Sequence, residues 1–287
     1  MVLSIADIEE IYRTTNDVMV VDNNQKENIL FIGSCRIHAF LNYFLIDPNF
    51  GNKYNYLCIM VHTKMMQDMS EICIENDRFK DLLKNSVILV CEHLKSFNYF
   101  NTVVSCEKNL FQMETHFNYR IVLPNYGMCR TLFVKDIVKY NNDMNVCFSN
   151  YKSNHVSLEV FSERLKEVHT KELDQLYKTI QKSIIPELQL FIEENVLRKR
   201  IAHTKNHPSN LLLLEMYRLV LKNVFQLPLS DSVVQLNDEY EFLPSTGYST
   251  NLTFYDKICL NIEIDEDVYN ECDSDKYLSS SDLFYKP

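Results

Sequence analysis

The chain has 287 residues, of which 46% are hydrophobic and 12% aromatic, and its formal net charge at neutral pH is −10. This length suits one large domain, or one domain with a helical extension. The acidic balance argues against a nucleic-acid-binding protein, because such proteins usually carry a basic surface. No apolar run approaches the roughly 20 residues that span a bilayer, so the sequence predicts no membrane span.

The cysteines and the N-terminus indicate a cellular compartment. The nine cysteines are scattered, and none of them forms a Cys-x-x-Cys pair. Several, such as Cys58 and Cys91, lie inside apolar runs, which is typical of reduced thiols rather than of a disulfide framework or a zinc site. Residues 1–13 lack the cationic and apolar regions of a signal peptide. We therefore expect a cytoplasmic protein without a metal.

The first half of the chain alternates apolar runs with amphipathic stretches. Residues 1–27 read as an N-terminal helical extension, a short helix followed by a polar connector. Alternation of strands and helices beyond it predicts a doubly wound, mainly parallel α/β sheet. The predicted strands are residues 28–34, 54–61, 86–91 and 119–123, and the predicted helical segments are 37–46, 67–84 and part of 99–116.

The second half reads as mainly helical. A charged helical insertion is expected over about 158–200, interrupted near Pro186, and an apolar helix over 211–225. Residues 226–257 read as loop-like. Residues 28–260 are predicted to form a single domain, and residues 261–287 an acidic, mobile tail.

The strand-to-helix turn Gly33-Ser34-Cys35-Arg36 is the first candidate site. The chain has only four glycines, where average usage would give about twenty, so a glycine here suggests a backbone requirement. Such a turn presents a side chain and free N–H groups at the edge of a sheet, as in a nucleophile elbow or an anion cradle. Helix-end charge, with Arg36, predicts a lowered pKa for Cys35. Alternatively, Cys35 only fills a tight turn.

The second candidate is Asn206-His207-Pro208-Ser209, which precedes the apolar helix. The proline restrains the residue before it and fits the first helical turn, so His207 is held rigidly and can serve as a general base. The alternative is that Asn206 and Ser209 only cap the helix while His207 packs beside them.

Two further candidates follow predicted strands. Glu92-His93 comes after the third strand, at the sheet edge where ligands bind, so Glu92 can orient a base or contact a substrate. It can equally be a solvated loop carboxylate. Asn125 follows the fourth strand and can donate a hydrogen bond to an oxyanion, although Pro124-Asn125 also suits a plain turn.

A cationic set, Arg198, Lys199, Arg200 and Lys205, stands out against the acidic background. These residues can hold the phosphates of a nucleotide-like cofactor. The alternative is an ordinary solvated helix face.

Taken in order, these motifs resemble the WcbI-type polysaccharide biosynthesis family, which is related to the SGNH-hydrolase fold. The family pattern has Gly-Asn-Cys-Gln after a strand, a Gln-Pro-like segment, an Ile-Pro-Asn-like segment and a late Asn-His-Pro-Ser/Thr motif. The resemblance covers roughly residues 28–225. This chain departs from the pattern at Ser34 for Asn, Arg36 for Gln, and Glu92-His93 for Gln-Pro.

The resemblance implies an SGNH- or flavodoxin-like sheet with a helical C-terminal half. It also implies an acyltransferase, with O-acetylation of a sugar or polysaccharide precursor from acetyl-coenzyme A. Cys35 and His207 stand where the SGNH nucleophile and base stand, but the usual acid three residues before the histidine is here Thr204. The pair can act as a dyad, or Glu92 can supply the orienting carboxylate. The residues that we predict to be catalytic are Cys35, His207, Glu92 and Asn125, and those predicted to bind coenzyme A are Gly33, Ser34, Arg36, Lys205, Asn206 and Ser209.

Two other functions stay open from the sequence. An esterase or deacetylase of the same fold would transfer the acyl group to water. A catalytically inactive domain would bind a glycan or a protein without needing Cys35 or His207.

Overall fold

The computed structural model describes residues 18–60, 84–92, 117–124, 132–203, 207–242 and 252–265. The chain divides into two compact units: the first comprises residues 1–125, 183–185 and 213–243, and the second residues 126–182, 186–212 and 244–287. No helix in the described ranges combines the length and the hydropathy that crossing a bilayer requires. The helices are α1 Cys35–Ile46, α2 Val134–Tyr140, α3 Asn142–Lys152, α4 Leu158–Ile180, α5 Leu188–Asn195, α6 Asn210–Val220, α7 Asp231–Glu239 and α8 Phe254–Leu260.

A five-stranded sheet forms the centre of the first unit. Its spatial order is β1-β3-β2-β4-β5. The four strands β2 to β5 run parallel, and β1 pairs antiparallel with β3 at one edge. The prediction of a mainly parallel α/β sheet is confirmed. The strands are β1 Val18–Val21, β2 Asn28–Gly33, β3 Asn55–Met60, β4 Ser86–Glu92 and β5 Tyr119–Leu123.

The order of the parallel strands reverses beside β2. From β2 the chain continues to β3 on one side of it, and then returns to β4 on the other side. The carboxyl ends of β2 and β4 therefore flank a topological switch point, which is where open α/β sheets bind ligands. All residues of β2 are buried, as in sheets covered on both faces. The predicted helical segments 67–83 and 99–116 lie outside the described residues, so the doubly wound arrangement stays a prediction.

Helix α1 begins directly after β2, two residues earlier than predicted. Ser34 is its N-cap, with extended backbone angles. Every residue from position 37 to position 46 is buried, so the helix is an interior element rather than an amphipathic one. Its aromatic face stacks Tyr43 on Tyr217, with ring centroids 5.3 Å apart. This packing holds the C-terminal half of α1 in the interior of the first unit.

The predicted loop over 226–257 was wrong in part. It contains α7 and the beginning of α8. Val233 and Leu236, three positions apart, bury one face of α7, but this helix is too short for a strong periodic signal. The predicted polar connector before residue 28 likewise contains β1, whose four residues were not recognised as a strand.

The second unit is helical in its described part. Helices α4 and α5 are separate and Pro186 lies between them, as predicted. Asp256 of α8 is fully buried and accepts hydrogen bonds from the backbone N–H groups of Thr253 and Val134. Burial raises the pKa of Asp256, and these hydrogen bonds act in the opposite direction.

Candidate functional site

Gly33 is the last residue of β2, and neighbouring side chains fill the space that a Cβ atom would need. A Cβ atom there would lie 2.3 Å from Cγ1 of Ile37 and 3.2 Å from Cδ of Glu92. The φ angle of Gly33 lies outside the left-handed region. The sequence argument from backbone freedom was therefore wrong at this position: the glycine allows close approach of neighbouring side chains.

Glu92 is the last residue of β4 and holds the turn in place. Its side chain is 4% exposed, so the alternative of a solvated loop carboxylate is wrong. The Ser34 hydroxyl donates to Oε1 of Glu92 at 2.9 Å. Nε of Arg36 lies 3.0 Å from the same oxygen, and Nη2 donates to Oε2 at 3.1 Å. The ends of β2 and β4 are thus joined by one buried ion pair and a shared hydroxyl.

Arg36 uses only one side of its guanidinium in these contacts. Its side chain is 11% exposed. Nε also donates to the Ser34 hydroxyl, at 3.2 Å. In the described part of the chain, Nη1 is buried and makes no hydrogen bond. A buried guanidinium nitrogen without an acceptor costs free energy, so among the described residues this atom is the donor of the cluster that can still bind an acceptor.

Cys35 is the first residue of α1 and is partly buried. Burial is the largest influence and raises its pKa. Arg36 lowers it, Glu92 raises it, and hydrogen bonds from the Ser34 side chain and the Arg36 backbone lower it. The net direction of the pKa shift is upward, so the predicted low-pKa thiolate is wrong: desolvation outweighs Arg36 and the two hydrogen bonds.

His207 lies in the second unit, in a short backbone pairing. Residues 202 and 208 form an antiparallel bridge. The His203 N–H donates to the His207 carbonyl at 2.8 Å, and the Ser209 N–H donates to the Ile201 carbonyl at 3.0 Å. This pairing restrains the backbone of His207 just before α6, whereas its role as a general base stays a prediction.

Ser209 stands immediately before α6 and is 5% exposed. Its hydroxyl is buried and has no hydrogen-bond partner within the described ranges. The alternative that Ser209 caps the helix through its side chain is therefore not supported. Thr204, Lys205 and Asn206 lie outside the described residues, as do His93 and Asn125.

The described members of the cationic set have other contacts. Arg198 forms an exposed ion pair with Glu263 at 3.5 Å. The Arg200 guanidinium lies 5.2 Å from the ring centre of Phe133. Lys199 is exposed. The exposure of Arg198 and Lys199 agrees with the solvated-face alternative, whereas Arg200 is half-buried, packs on Phe133 and helps to lower the pKa of Asp256.

The structure thus brings Gly33, Ser34, Cys35, Arg36 and Glu92 together at the switch point. The sequence argument named all five but missed their mutual contacts. A carboxylate at the last position of a strand buried on both faces was the available signal, because such a group requires a partner.

Comparison with known proteins finds one solved structure whose backbone is partly similar to that of this chain. No protein-family model matches the chain, and no curated protein matches its sequence. One similar solved structure is that of WcbI, described as a novel polysaccharide biosynthesis enzyme, in its native form without a disulfide bond between coenzyme A and one of its cysteines. It is 13% identical, has a TM-score of 0.46, and matches over 76% of this chain and 75% of that one. A likeness of this size carries no functional argument. The described fold defines a mixed α/β protein with a mostly parallel sheet.

Proposed function

We propose that this protein is an acyltransferase that moves an acetyl group from acetyl-coenzyme A to a hydroxyl of a sugar or polysaccharide precursor. The observation that carries the proposal is the convergence of Ser34-Cys35-Arg36 with Glu92 at the switch point. Ligands of open α/β sheets bind at such points. The order of the motifs along the chain, with His207 late, supports acyl chemistry there.

The residues present fit the acyl end of this substrate. Nη1 of Arg36 is buried and has no acceptor among the residues that the structure describes, and we propose that a thioester carbonyl supplies one. For the phosphate end, Lys205 and Asn206 remain the proposed contacts, because Arg198 and Arg200 already engage Glu263 and Phe133.

The transfer balances without a further reactant. An ester bond forms between the sugar oxygen and the acyl carbon, the thioester carbon–sulfur bond breaks, and the hydroxyl proton passes to the departing thiol. We propose that His207 takes that proton first, and that Asn125 and the N–H groups near Cys35 stabilise the oxyanion. We propose direct attack by the sugar hydroxyl and not an acyl-cysteine intermediate, because burial raises the pKa of the Cys35 thiol.

The first experiment is thermal unfolding with and without coenzyme A and acetyl-coenzyme A. A ligand that binds only the folded protein, at 100 times its dissociation constant, adds about 2.7 kcal/mol. We expect this upward shift for the wild type and for His207→Ala, since the base is not required for binding. No shift at millimolar ligand contradicts the proposal, and hydrolysis of aryl esters then tests the esterase alternative.

The second experiment follows the release of coenzyme A thiol in a screen of sugar acceptors. His207→Ala should lower the rate by about 10²–10⁴-fold, the usual contribution of a general base. Cys35→Ser should retain most of the activity under direct transfer. Its complete loss, with binding retained, would indicate an acyl-cysteine route instead.

A further inference from the structure

We infer that Arg36, neutralised by Glu92, presents Nη1 to an uncharged carbonyl oxygen of the ligand and that this part of the site selects against anionic groups. The inference rests on the proposed function, since it assigns Arg36 to the acyl group and not to a phosphate. It concerns the chemical class that the turn recognises.

The geometry of the guanidinium is the first argument. An arginine has donors on three nitrogens in a fixed planar arrangement. Here Nε and Nη2 face the two oxygens of Glu92, at 3.0 and 3.1 Å. Nη1 is the nitrogen on the far side of the guanidinium carbon from this pair. Glu92 and Ser34 therefore determine the direction in which Nη1 points.

The charge of the cluster is the second argument. Arg36 and Glu92 together carry no net charge, and both side chains are nearly buried. An anion brought beside them must lose its hydration without meeting an uncompensated cation, which costs several kcal/mol. A carbonyl oxygen loses much less hydration and gains a hydrogen bond from a charged donor. The cluster consequently favours an amide or acyl carbonyl over a phosphate or carboxylate.

Alkylation of Cys35 measures the preference of the cluster for a neutral carbonyl over an anionic group in the absence of coenzyme A. Iodoacetamide and iodoacetate deliver a neutral and an anionic carbonyl group to the same sulfur. The rates are measured on the Cys35 peptide by mass spectrometry, and their ratio is independent of the thiolate fraction. N-Acetylcysteine amide, a neutral thiol, supplies the reference ratio, and Cys147, a partly exposed cysteine outside the cluster, is the internal control for the net charge of −10 of the protein.

In the wild type, the iodoacetate-to-iodoacetamide ratio at Cys35 should lie below the reference. It should change less than about twofold between 50 and 500 mM salt, because a neutral pair is little screened. A ratio above the reference that falls with salt would show that Arg36 acts as an open cation, and would overturn the inference. This arm needs no variant and so does not depend on the folding of one.

The variants test whether Arg36 and Glu92 are the cause. Glu92→Gln leaves Arg36 charged, so the ratio at Cys35 should rise about tenfold, equivalent to about 1.4 kcal/mol. Arg36→Met leaves the carboxylate, so the ratio should fall. Unchanged ratios in both folded variants would overturn the inference. These ratios do not depend on whether the protein binds acetyl-coenzyme A. The alkylation experiment can therefore contradict this inference without contradicting the proposed function, and the thermal unfolding experiment can contradict the proposed function alone.

Discussion

The Ser34 hydroxyl donates to the Glu92 carboxylate at 2.9 Å, across 58 positions of the chain. This contact joins the N-cap of α1 to the last residue of β4. The same hydroxyl accepts from Nε of Arg36. One small side chain thus couples the two strand ends that flank the switch point, and the stability of the site depends on the ion pair as well as on the turn.

The ion pair should show strong coupling in a double-mutant cycle. Arg36→Gln or Glu92→Gln alone leaves one buried charge without its partner, and each should cost about 3–5 kcal/mol of unfolding free energy. The combined variant replaces the pair by two neutral amides, so it should cost less than either single variant, and the coupling should exceed about 3 kcal/mol. Urea unfolding of the four proteins measures it. If the loss of unfolding free energy in the combined variant equals the sum of the losses in the two single variants, the two side chains are not coupled and the pairing is contradicted.

Gly33→Ala should destabilise the protein by about 1–3 kcal/mol, since the new methyl group overlaps Ile37 and displaces Glu92. Val146→Ala is the control, because Val146 is 61% exposed on α3. Its effect should stay within about 0.5 kcal/mol. Chemical unfolding measures both. Equal stability of the two variants would show that the turn tolerates a Cβ.

The reaction of Cys35 with iodoacetamide should reach half its maximal rate at a higher pH than that of N-acetylcysteine. Burial raises the pKa of this thiol and outweighs the opposing effect of Arg36. Glu92→Gln should move the midpoint down, because Glu92 raises the pKa, and Arg36→Gln should move it up. The alkylation rate of Cys35 as a function of pH, measured on the Cys35 peptide by mass spectrometry, tests this prediction. A wild-type midpoint below that of the free thiol would restore the thiolate hypothesis.

Tyr217→Phe should cost more stability than Tyr43→Phe. The Tyr217 hydroxyl donates to the buried carboxylate of Asp47 at 2.8 Å, whereas the Tyr43 hydroxyl donates to the neutral amide oxygen of Asn237 at 2.7 Å. Hydrogen bonds to charged groups contribute about 1.5–3 kcal/mol, against about 1 for neutral pairs. Both rings are fully buried, so the comparison isolates the acceptor. A larger loss of unfolding free energy in Tyr43→Phe than in Tyr217→Phe, measured by urea unfolding, would contradict this prediction.

Stability should fall on acidification through His169. Burial lowers the pKa of this histidine to about 4, from an ordinary value of 6.5. The contribution of neutral His169 to the unfolding free energy is fully present above pH 6.5 and is lost as the pH falls towards 4. In this range the unfolded chain binds a proton at the histidine more readily than the folded chain does. The loss is roughly 3 kcal/mol. Burial lowers the pKa of His38 to about 4 as well, so His169→Leu should reduce the slope of the stability curve in this window without abolishing it. A curve that keeps its slope in His169→Leu would assign the loss to other groups.

Local patterns were sufficient for the centre of the sheet and for the turn. Runs of apolar residues long enough for a buried strand identified β2, β4 and β5. Gly33 followed by Ser34 marked the beginning of α1. Short elements such as β1 and α7 were missed, because four to nine residues carry little periodicity and depend on tertiary packing.

The relationships within the site could not be read from the sequence. Glu92 contacts Ser34 and Arg36 only because the strand order places β4 beside β2, and that order is a property of the whole sheet. The pKa of Cys35 was predicted in the wrong direction for the same reason. Local sequence shows the helix end and Arg36, but it does not show how much protein surrounds the sulfur.

The pairing of Arg36 with Glu92 also constrains how this part of the chain can change. The two side chains face each other, and both are nearly buried. A single exchange at either position would leave a buried charge alone, so a tolerated change at one position requires a compensating change at the other.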